Sequence, residues 1–131
     1  MLDPRDSPRT VLIVDDFDDN RQMYAEFLTL AGFRTHQAVD GAEALQKAQD
    51  LQPDVVVMDL SLPVLDGWEA TRRLKADPRT RHIAVLALTG HAFEGELEGG
   101  AREAGCDAFL AKPCLPEDLL DAVTAILANR T

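Results

Sequence analysis

Four short apolar runs in this 131-residue chain each end in a polar residue. They are 11–14 before Asp15 and Asp16, 55–58 before Asp59, 84–88 before Thr89, and 109–111 before Lys112 and Pro113. Short apolar runs separated by helical segments are typical of buried parallel strands. Because parallel strands end at a common carboxyl edge, we expect these polar side chains to meet at one edge of one sheet.

Strand and helix signals alternate along the whole chain. The predicted strands are 10–14, 34–39, 55–58, 83–88 and 107–111, and the predicted helices begin near residues 18, 40, 66, 91 and 116. Five strands alternating with five helices predict a doubly wound α/β fold with a parallel sheet in the flavodoxin-like order 2-1-3-4-5. The 55–58 run is the most continuously apolar and is expected to form the central strand. The fourth helix, 91–104, contains three glycines and is expected to be the least stable.

Length and composition predict one domain over residues 10–131 with a flexible lead-in at 1–9. The net charge of −10 argues against direct binding of nucleic acid, because that binding depends on Lys and Arg. No apolar stretch is long enough to cross a bilayer and no signal peptide is recognisable, so we expect a cytoplasmic protein without a membrane partner. Cys106 and Cys114 flank one short strand and are expected to be free thiols.

The acidic residues at two strand ends point to a divalent cation. In the predicted sheet the strand order reverses between strands one and three, where Asp15, Asp16 and Asp59 emerge. Carboxylates without accompanying imidazole or thiolate groups suit Mg²⁺, or Mn²⁺ in its place. Two plainer interpretations stay open: Asp15 and Asp16 can cap the first helix, and Asp59 can be a turn residue.

The remaining strand ends carry groups that suit a phosphoryl ligand. A carboxylate attacks phosphorus once a cation screens the incoming charge, which makes Asp59 a candidate nucleophile. The Lys112 ammonium can then hold one phosphoryl oxygen, and the Thr89 hydroxyl can donate to another. Taken singly, Lys112 can be a solvated surface lysine and Thr89 a helix cap. Their joint position at the sheet edge favours the phosphoryl site.

These motifs resemble the receiver domain of two-component response regulators, of the single-domain chemotaxis-regulator type, over residues 10–129. The resemblance is carried by Val14-Asp15-Asp16, by Met58-Asp59-Leu-Ser-Leu-Pro63 with Asp66-Gly67, by Leu88-Thr89, by Ala104-Gly105-Cys-Asp107, and by Lys112-Pro113. It implies a protein that accepts a phosphoryl group on Asp59 from a histidine kinase or a histidine phosphotransfer protein. Such a protein acts as a phosphoacceptor with self-dephosphorylation, and is not a turnover enzyme.

The resemblance also implies roles for individual residues. Asp16 and Asp59 would bind Mg²⁺ through their side chains, Asp15 would act through coordinated water, and Ser61 would contribute its backbone carbonyl. Thr89 and Phe109 would form the switch, with Thr89 moving toward the phosphoryl group and Phe109 turning inward. Many members carry Tyr where this chain has Phe109, so the hydroxyl is missing here. Phe109 as an ordinary core residue stays open.

The implied partners are a histidine donor and a downstream effector protein. In receivers the donor commonly docks on the first helix, whose exposed side is predicted to comprise Asn20, Arg21, Tyr24 and Leu28, although Leu28 fits the core equally well. The effector would meet the surface formed by the fourth helix, fifth strand and last helix, and phosphorylation can drive dimerisation. No effector sequence follows residue 131, which favours a stand-alone regulator or phosphorelay intermediate over a receiver excised from a hybrid kinase or longer regulator.

Three other classes compete with this interpretation. An aspartyl-phosphate phosphohydrolase of the haloacid dehalogenase type would want a second Asp where this chain has Ser61. A flavodoxin-like electron carrier would need backbone donors and hydroxyls in the first strand-to-helix loop, which is acidic here. An inert scaffold on the same fold is the third alternative, since a fold by itself does not confer function.

Overall fold

The structure is a computed structural model that describes residues 9–60, 67–89, 105–111 and 114–129, apart from the side chain of Thr89. The strands are β1 (Thr10–Val14), β2 (Arg34–Ala38), β3 (Val55–Asp59), β4 (Ala84–Thr89) and β5 (Ala108–Ala111). The helices are α1 (Asp18–Leu30), α2 (Gly41–Leu51), α3 (Gly67–Ala76) and α4 (Pro116–Ala128). The fourth predicted helix, 91–104, lies outside the described residues, so α4 corresponds to the fifth predicted helix.

All five strands form one parallel sheet in the order β2-β1-β3-β4-β5. This order confirms the predicted fold class, with β3 in the centre. Val14 of β1 lies opposite Met58 of β3 in register, and Asp59 lies opposite Leu88 of β4. The residues after Val14 and Met58 therefore leave the sheet side by side, at the point where the strand order reverses.

Within the described residues, α1 and α4 pack on one face of the sheet, and α2 and α3 pack on the other. Alternate residues of a strand point to opposite faces, and here both faces are apolar because both are buried. One core contains Val11, Ile13, Val55, Val57, Leu86, Leu88, Leu28 of α1, and Leu119 and Val123 of α4. The other contains Leu12, Val14, Val56, Met58, Val85, Ala44 and Ala48 of α2, and Ala70 and Leu74 of α3. The continuous apolar runs of the sequence thus reflect strands buried from both sides.

Local signals set the helix ends. The Asp40 carboxylate accepts a hydrogen bond from the Glu43 backbone N–H at 2.8 Å, and the Glu43 carboxylate accepts one from the Val39 N–H at 2.9 Å. Asp40 thus caps α2 as the sequence pattern predicts, and the Glu43 side chain bonds back to Val39, one residue before the N-cap. Gly32, with φ of +106°, lets the chain turn after α1. None of the helices in the described ranges is both long and apolar enough to cross a bilayer.

The orientation of α1 differs from the prediction. Arg21 and Tyr24, expected on its exposed side, are buried, Asn20 is half-buried, and Leu28 takes the core position that the sequence pattern equally allowed. The apolar residues Met23 and Leu30 are instead exposed, Leu30 by 82%. The helix therefore presents a partly apolar surface to solvent and turns two polar side chains inward, where they find hydrogen-bond partners. The sequence pattern therefore predicted the position of the helix in the chain correctly, but it did not predict which face of the helix is buried.

Candidate metal-binding site at the carboxyl edge of the sheet

Three carboxylates lie together where β1 and β3 end. One oxygen from each of Asp15, Asp16 and Asp59 lies within 4.8 Å of the other two. Asp15 and Asp59 are buried, with exposed fractions of 1% and 4%, whereas Asp16 is exposed to solvent. The structure thus brings the three predicted carboxylates together. Asp15 and Asp59 form the buried part of the site, and Asp16 forms its solvent-exposed part.

The turn between β1 and α1 holds Asp15 through its backbone and its side chain. The Asp15 backbone N–H donates to the Ala38 carbonyl at 3.1 Å, which ties the turn to the end of β2. One Asp15 carboxylate oxygen accepts from the Phe17 N–H at 2.9 Å. The N-cap residue of α1 is Phe17, and no side chain makes a capping hydrogen bond there. Asp15 and Asp16 therefore do not serve as the helix cap, which was one of the plainer interpretations.

The other side of the site depends on a glycine. Gly67 begins α3 and packs against the backbone at the end of β3. A Cβ atom built on Gly67 would lie 2.7 Å from the Leu60 Cα and closer still to the Asp59 carbonyl oxygen. Since backbone atoms cannot move aside cheaply, only glycine lets α3 begin this close to Asp59. The sequence predicts the start of this helix but gives no reason for the glycine.

Arg21 supports the site from inside α1. Its guanidinium donates to the Asp15 carbonyl at 3.0 Å through Nη1 and to the Gln37 side-chain oxygen at 2.9 Å through Nε. Its Nη2 lies 2.7 Å from a carboxylate oxygen of the exposed Asp18. Sequence reasoning placed Arg21 on the surface, because no periodic signal distinguishes a buried arginine from a solvated one.

Tyr24 joins α1 to the segment that precedes α4. Its buried hydroxyl lies 3.1 Å from the Cys114 carbonyl oxygen, to which it donates, and 3.4 Å from the Cys114 thiol sulfur. Burial raises the pKa of the Tyr24 phenol well above its usual value, and Cys114 and the nearby charges of Asp15 and Asp59 act in the same direction. Both cysteines are free thiols, as predicted.

Several predicted site residues lie outside the described part of the chain. These are Ser61, Lys112 and the side chain of Thr89. The backbone of Thr89 ends β4 and lies opposite Ala111, the last residue of β5. Phe109 is half-buried in β5 opposite Ala87. The ends of β4 and β5 therefore reach the same edge of the sheet as the carboxylates.

The three carboxylates fit the requirements of a small, hard cation. Mg²⁺ prefers oxygen ligands at about 2.1 Å, so two ligands on opposite sides of the ion are about 4.2 Å apart. The observed oxygen separations of up to 4.8 Å are close to that value. The mixture of two buried acids and one exposed acid also leaves one side open for water or a phosphoryl oxygen.

The chain belongs to the response regulator receiver domain family. The family model for this domain matches residues 11–124, which is most of the chain. Receiver domains are phosphoacceptor signalling domains, and the protein is accordingly a receiver domain of a two-component response regulator.

Relatives and solved structures of similar size support this assignment. The polar-differentiation response regulator DivK of Brucella anthropi is 34% identical over 122 residues, which are 93% of this chain and 98% of DivK. The chemotaxis protein CheY4 of Vibrio cholerae is 33% identical, with a TM-score of 0.86 over 91% of this chain and 98% of CheY4. The receiver domain of the sensor histidine kinase PA1611 of Pseudomonas aeruginosa is 32% identical, with a TM-score of 0.82 over 91% of this chain and 97% of that domain. That domain was crystallised with a magnesium ion coordinated in its active-site cleft.

Proposed function

We propose that Asp59 accepts a phosphoryl group from a phosphohistidine donor and that Asp15, Asp16 and Asp59 hold Mg²⁺ for this reaction. The observation that carries the proposal is the meeting of three carboxylates within 4.8 Å at the switch point of the sheet. Like charges this close resist joint ionisation unless a cation shares the site. The magnesium in the cleft of the PA1611 receiver domain supports the same choice of metal.

The transfer forms one bond and breaks another. An Asp59 carboxylate oxygen attacks phosphorus, an O–P bond forms, and the N–P bond to the donor imidazole breaks, so that the imidazole leaves with the electron pair. Bound Mg²⁺ supplies the charge neutralisation that lets two anions approach. The burial of Asp59 limits water around the new acyl phosphate, while the exposed Asp16 keeps the entrance polar. Later attack by water returns Asp59, which makes the protein a phosphoacceptor with self-dephosphorylation.

Three further residues complete the proposed site. The backbone carbonyl of Ser61 adds an oxygen for the metal, Lys112 holds a phosphoryl oxygen, and the Thr89 hydroxyl bonds to another. The paired ends of β4 and β5 support the last two assignments, because Thr89 ends one strand and Lys112 directly follows Ala111 in the other.

The signal is proposed to leave the site through Thr89 and Phe109. Phe109 is half-buried, an environment from which an aromatic ring can turn further inward or outward. Movement of Thr89 and Phe109 would change the surface formed by residues 91–104, β5 and α4. This surface is where a downstream effector, or a second copy of the chain in a phosphorylation-dependent dimer, would bind.

The donor is proposed to dock on the exposed face of α1. This face carries Met23, Glu26, Phe27 and Leu30, which line a shallow groove. It replaces the side of α1 predicted from the sequence, on which Arg21, Tyr24 and Leu28 are buried and Asn20 is half-buried. An apolar face on the helix that directly follows the acidic turn suits a histidine kinase or a histidine phosphotransfer protein that must present its imidazole to Asp59.

We propose that residues 10–131 form one receiver, that residues 1–9 are its lead-in, and that it acts in the cytoplasm, where ATP-derived phosphoryl donors are available. The match to 98% of the length of DivK supports a stand-alone regulator. The likeness to the receiver of the sensor kinase PA1611 supports the alternative, a receiver from a hybrid kinase. The length of the native gene product distinguishes the two.

Acetyl phosphate with Mg²⁺ tests the proposal directly. We expect intact-mass spectrometry to find one added phosphoryl group on the wild type and none on Asp59→Asn, which keeps the shape of the side chain. Asp50→Asn is the matched control, because it makes the same charge change on an exposed residue in the last turn of α2, toward the opposite edge of the sheet.

Omitting Mg²⁺ or adding a chelator is expected to abolish the modification in the wild type. Retention of the phosphoryl group by Asp59→Asn would contradict the assignment of the acceptor. Continuous release of phosphate from small phosphate esters over many turnovers would indicate a phosphohydrolase instead.

A further inference from the structure

Arg21 is a buried cation, which distinguishes it from the other positively charged residues of the described chain. Among the residues that the structure describes, three charged side chains are buried: Asp15, Asp59 and Arg21. Two of these are carboxylates of the site, and Arg21, 7% exposed, is the one cation. Burying a guanidinium costs free energy unless hydrogen bonds and opposite charge compensate for it, so its contacts indicate what it does.

Those contacts connect three parts of the molecule. Nη1 donates to the Asp15 carbonyl at 3.0 Å, Nε donates to the Gln37 side chain of β2 at 2.9 Å, and Nη2 pairs with Asp18 at 2.7 Å. The rigid fork of a guanidinium fixes the directions of all three bonds at once, which an ammonium cannot do. The acidic turn, β2 and the first turn of α1 are therefore held in one arrangement.

The contact with the Asp15 carbonyl bears directly on the next residue. This carbonyl belongs to the peptide between Asp15 and Asp16, and because a peptide is planar, holding its oxygen restricts the direction in which Asp16 leaves the turn. Asp16 is the exposed member of the carboxylate cluster, whereas Asp15 and Asp59 are buried. Arg21 therefore acts on the turn that leads to the exposed member of the cluster.

Charge acts in two directions here. The Arg21 cation lowers the mutual repulsion of the three carboxylates when no metal is bound, but it also repels an incoming metal ion. We propose that Arg21 is a positioning residue that holds the turn between Asp15 and Asp16 in its metal-binding conformation. The inference rests on the proposed function, since it takes these carboxylates to be the Mg²⁺ ligands.

The two roles that Arg21 could have predict opposite effects on Mg²⁺ affinity. If the residue is only a nearby positive charge, Arg21→Gln strengthens Mg²⁺ binding because the repulsion disappears. If it positions the turn, Arg21→Gln weakens binding by about tenfold, the usual loss when a group that orients a metal ligand is removed. Arg21→Lys keeps the charge but loses the fork, and is expected to weaken binding as well, though less.

The measurement is the Mg²⁺ dissociation constant, obtained by calorimetry and from the fluorescence of Trp68, the single tryptophan, at the start of α3. Thr80→Val is the matched control for stability. It removes a buried hydroxyl that bonds to the Leu74 carbonyl at 2.7 Å, at the C-terminal end of α3 away from the carboxylates, and should leave Mg²⁺ affinity unchanged. Amide hydrogen exchange of the peptide covering residues 15–20 is expected to quicken in both Arg21 variants and not in Thr80→Val.

The outcomes separate the inference from the proposed function. A wild type that binds no Mg²⁺ overturns both. A wild type that binds Mg²⁺, together with folded Arg21 variants of equal or greater affinity, overturns the role of Arg21 and leaves the proposed function standing. If Arg21→Gln does not fold, Arg21→Lys decides the matter, since unchanged affinity and unchanged exchange at residues 15–20 in that variant would exclude a positioning role.

Discussion

The carboxyl edge of the sheet and the helix α1 lie next to each other, yet they were predictable to very different degrees. At the sheet edge, Asp15, Asp16 and Asp59 meet because the strand order and register bring β1 and β3 to an end together. In α1, the buried face was predicted wrongly. Strand ends are fixed by topology, whereas the rotation of a helix depends on which side chains find partners in the rest of the fold.

The partners that decide the rotation of α1 are distant in sequence. Arg21 bonds to Gln37, 16 residues away, and Tyr24 bonds to Cys114, 90 residues away. These bonds allow two polar side chains to be buried while Met23 and Leu30 stay exposed. A hydrophobicity pattern along one helix holds no information about such bonds, so it favours the wrong face whenever polar residues are buried with partners.

The largest expected effect tests the orientation of α1 directly. Leu28 is fully buried, so Leu28→Ala should lower the free energy of unfolding by about 3 kcal/mol. Leu30→Ala removes the same atoms from an exposed position of the same helix and should change it by less than about 0.5 kcal/mol. Urea denaturation measures both. Similar losses in the two variants would show that α1 is rotated from the position described.

The exposed variant also tests the proposed docking face. Leu30→Ala is expected to slow phosphoryl transfer from a histidine donor and to leave the reaction with acetyl phosphate unchanged, because the small donor does not contact α1. Equal slowing with both donors would place the effect at the carboxylates and contradict a docking role.

A smaller effect is expected at the sheet edge. Gly67→Ala introduces a Cβ atom against the backbone of Asp59 and Leu60, and should lower the free energy of unfolding by about 2 kcal/mol, as other overpacked sites do. The displacement occurs beside Asp59, so Mg²⁺ affinity should fall too. Gly32→Ala is a useful control: its φ of +106° strains any side chain, but its Cβ would meet no neighbour within 4 Å. Gly32→Ala should therefore lower the free energy of unfolding and leave the Mg²⁺ affinity unchanged.

The smallest effect concerns the bond between α1 and the segment before α4. Tyr24→Phe removes one hydroxyl and should lower the free energy of unfolding by about 1 kcal/mol at neutral pH. The wild type should also lose stability at high pH. The pKa of Tyr24 is raised in the folded protein, whereas an unfolded tyrosine ionises near pH 10.

The contribution of Tyr24 is therefore complete below about pH 10, and declines above it as the unfolded chain releases its proton while the folded chain keeps it. Comparing urea denaturation at about pH 8 and about pH 11 for the wild type and Tyr24→Phe isolates this contribution. The difference between the two proteins should shrink at the higher pH. A constant or growing difference would contradict the raised pKa.

Most of the fold followed from the sequence, because buried parallel strands leave continuous apolar runs. β1 was predicted residue for residue, and the other strands to within a residue at each end. The meeting of Asp15, Asp16 and Asp59 could be predicted too, because these residues directly follow two neighbouring parallel strands. The buried positions of Arg21 and Tyr24 could not be predicted, because they depend on bonds to Gln37 and Cys114, which are distant in sequence. The reason for Gly67 could not be predicted either, because it depends on how closely α3 packs against the end of β3.

The contact at Gly67 has a consequence for how large sets of variants are interpreted. This residue has no functional group, yet a library covering every substitution should lose most replacements here, as it should at Asp59. Depletion in such a library shows that a substitution is not tolerated. It does not show whether the lost residue reacts, as proposed for Asp59, or whether a larger side chain clashes with the backbone, as at Gly67. At this edge of the sheet the two causes lie side by side, with the Gly67 backbone N–H 3.4 Å from the Leu60 carbonyl, one residue beyond Asp59.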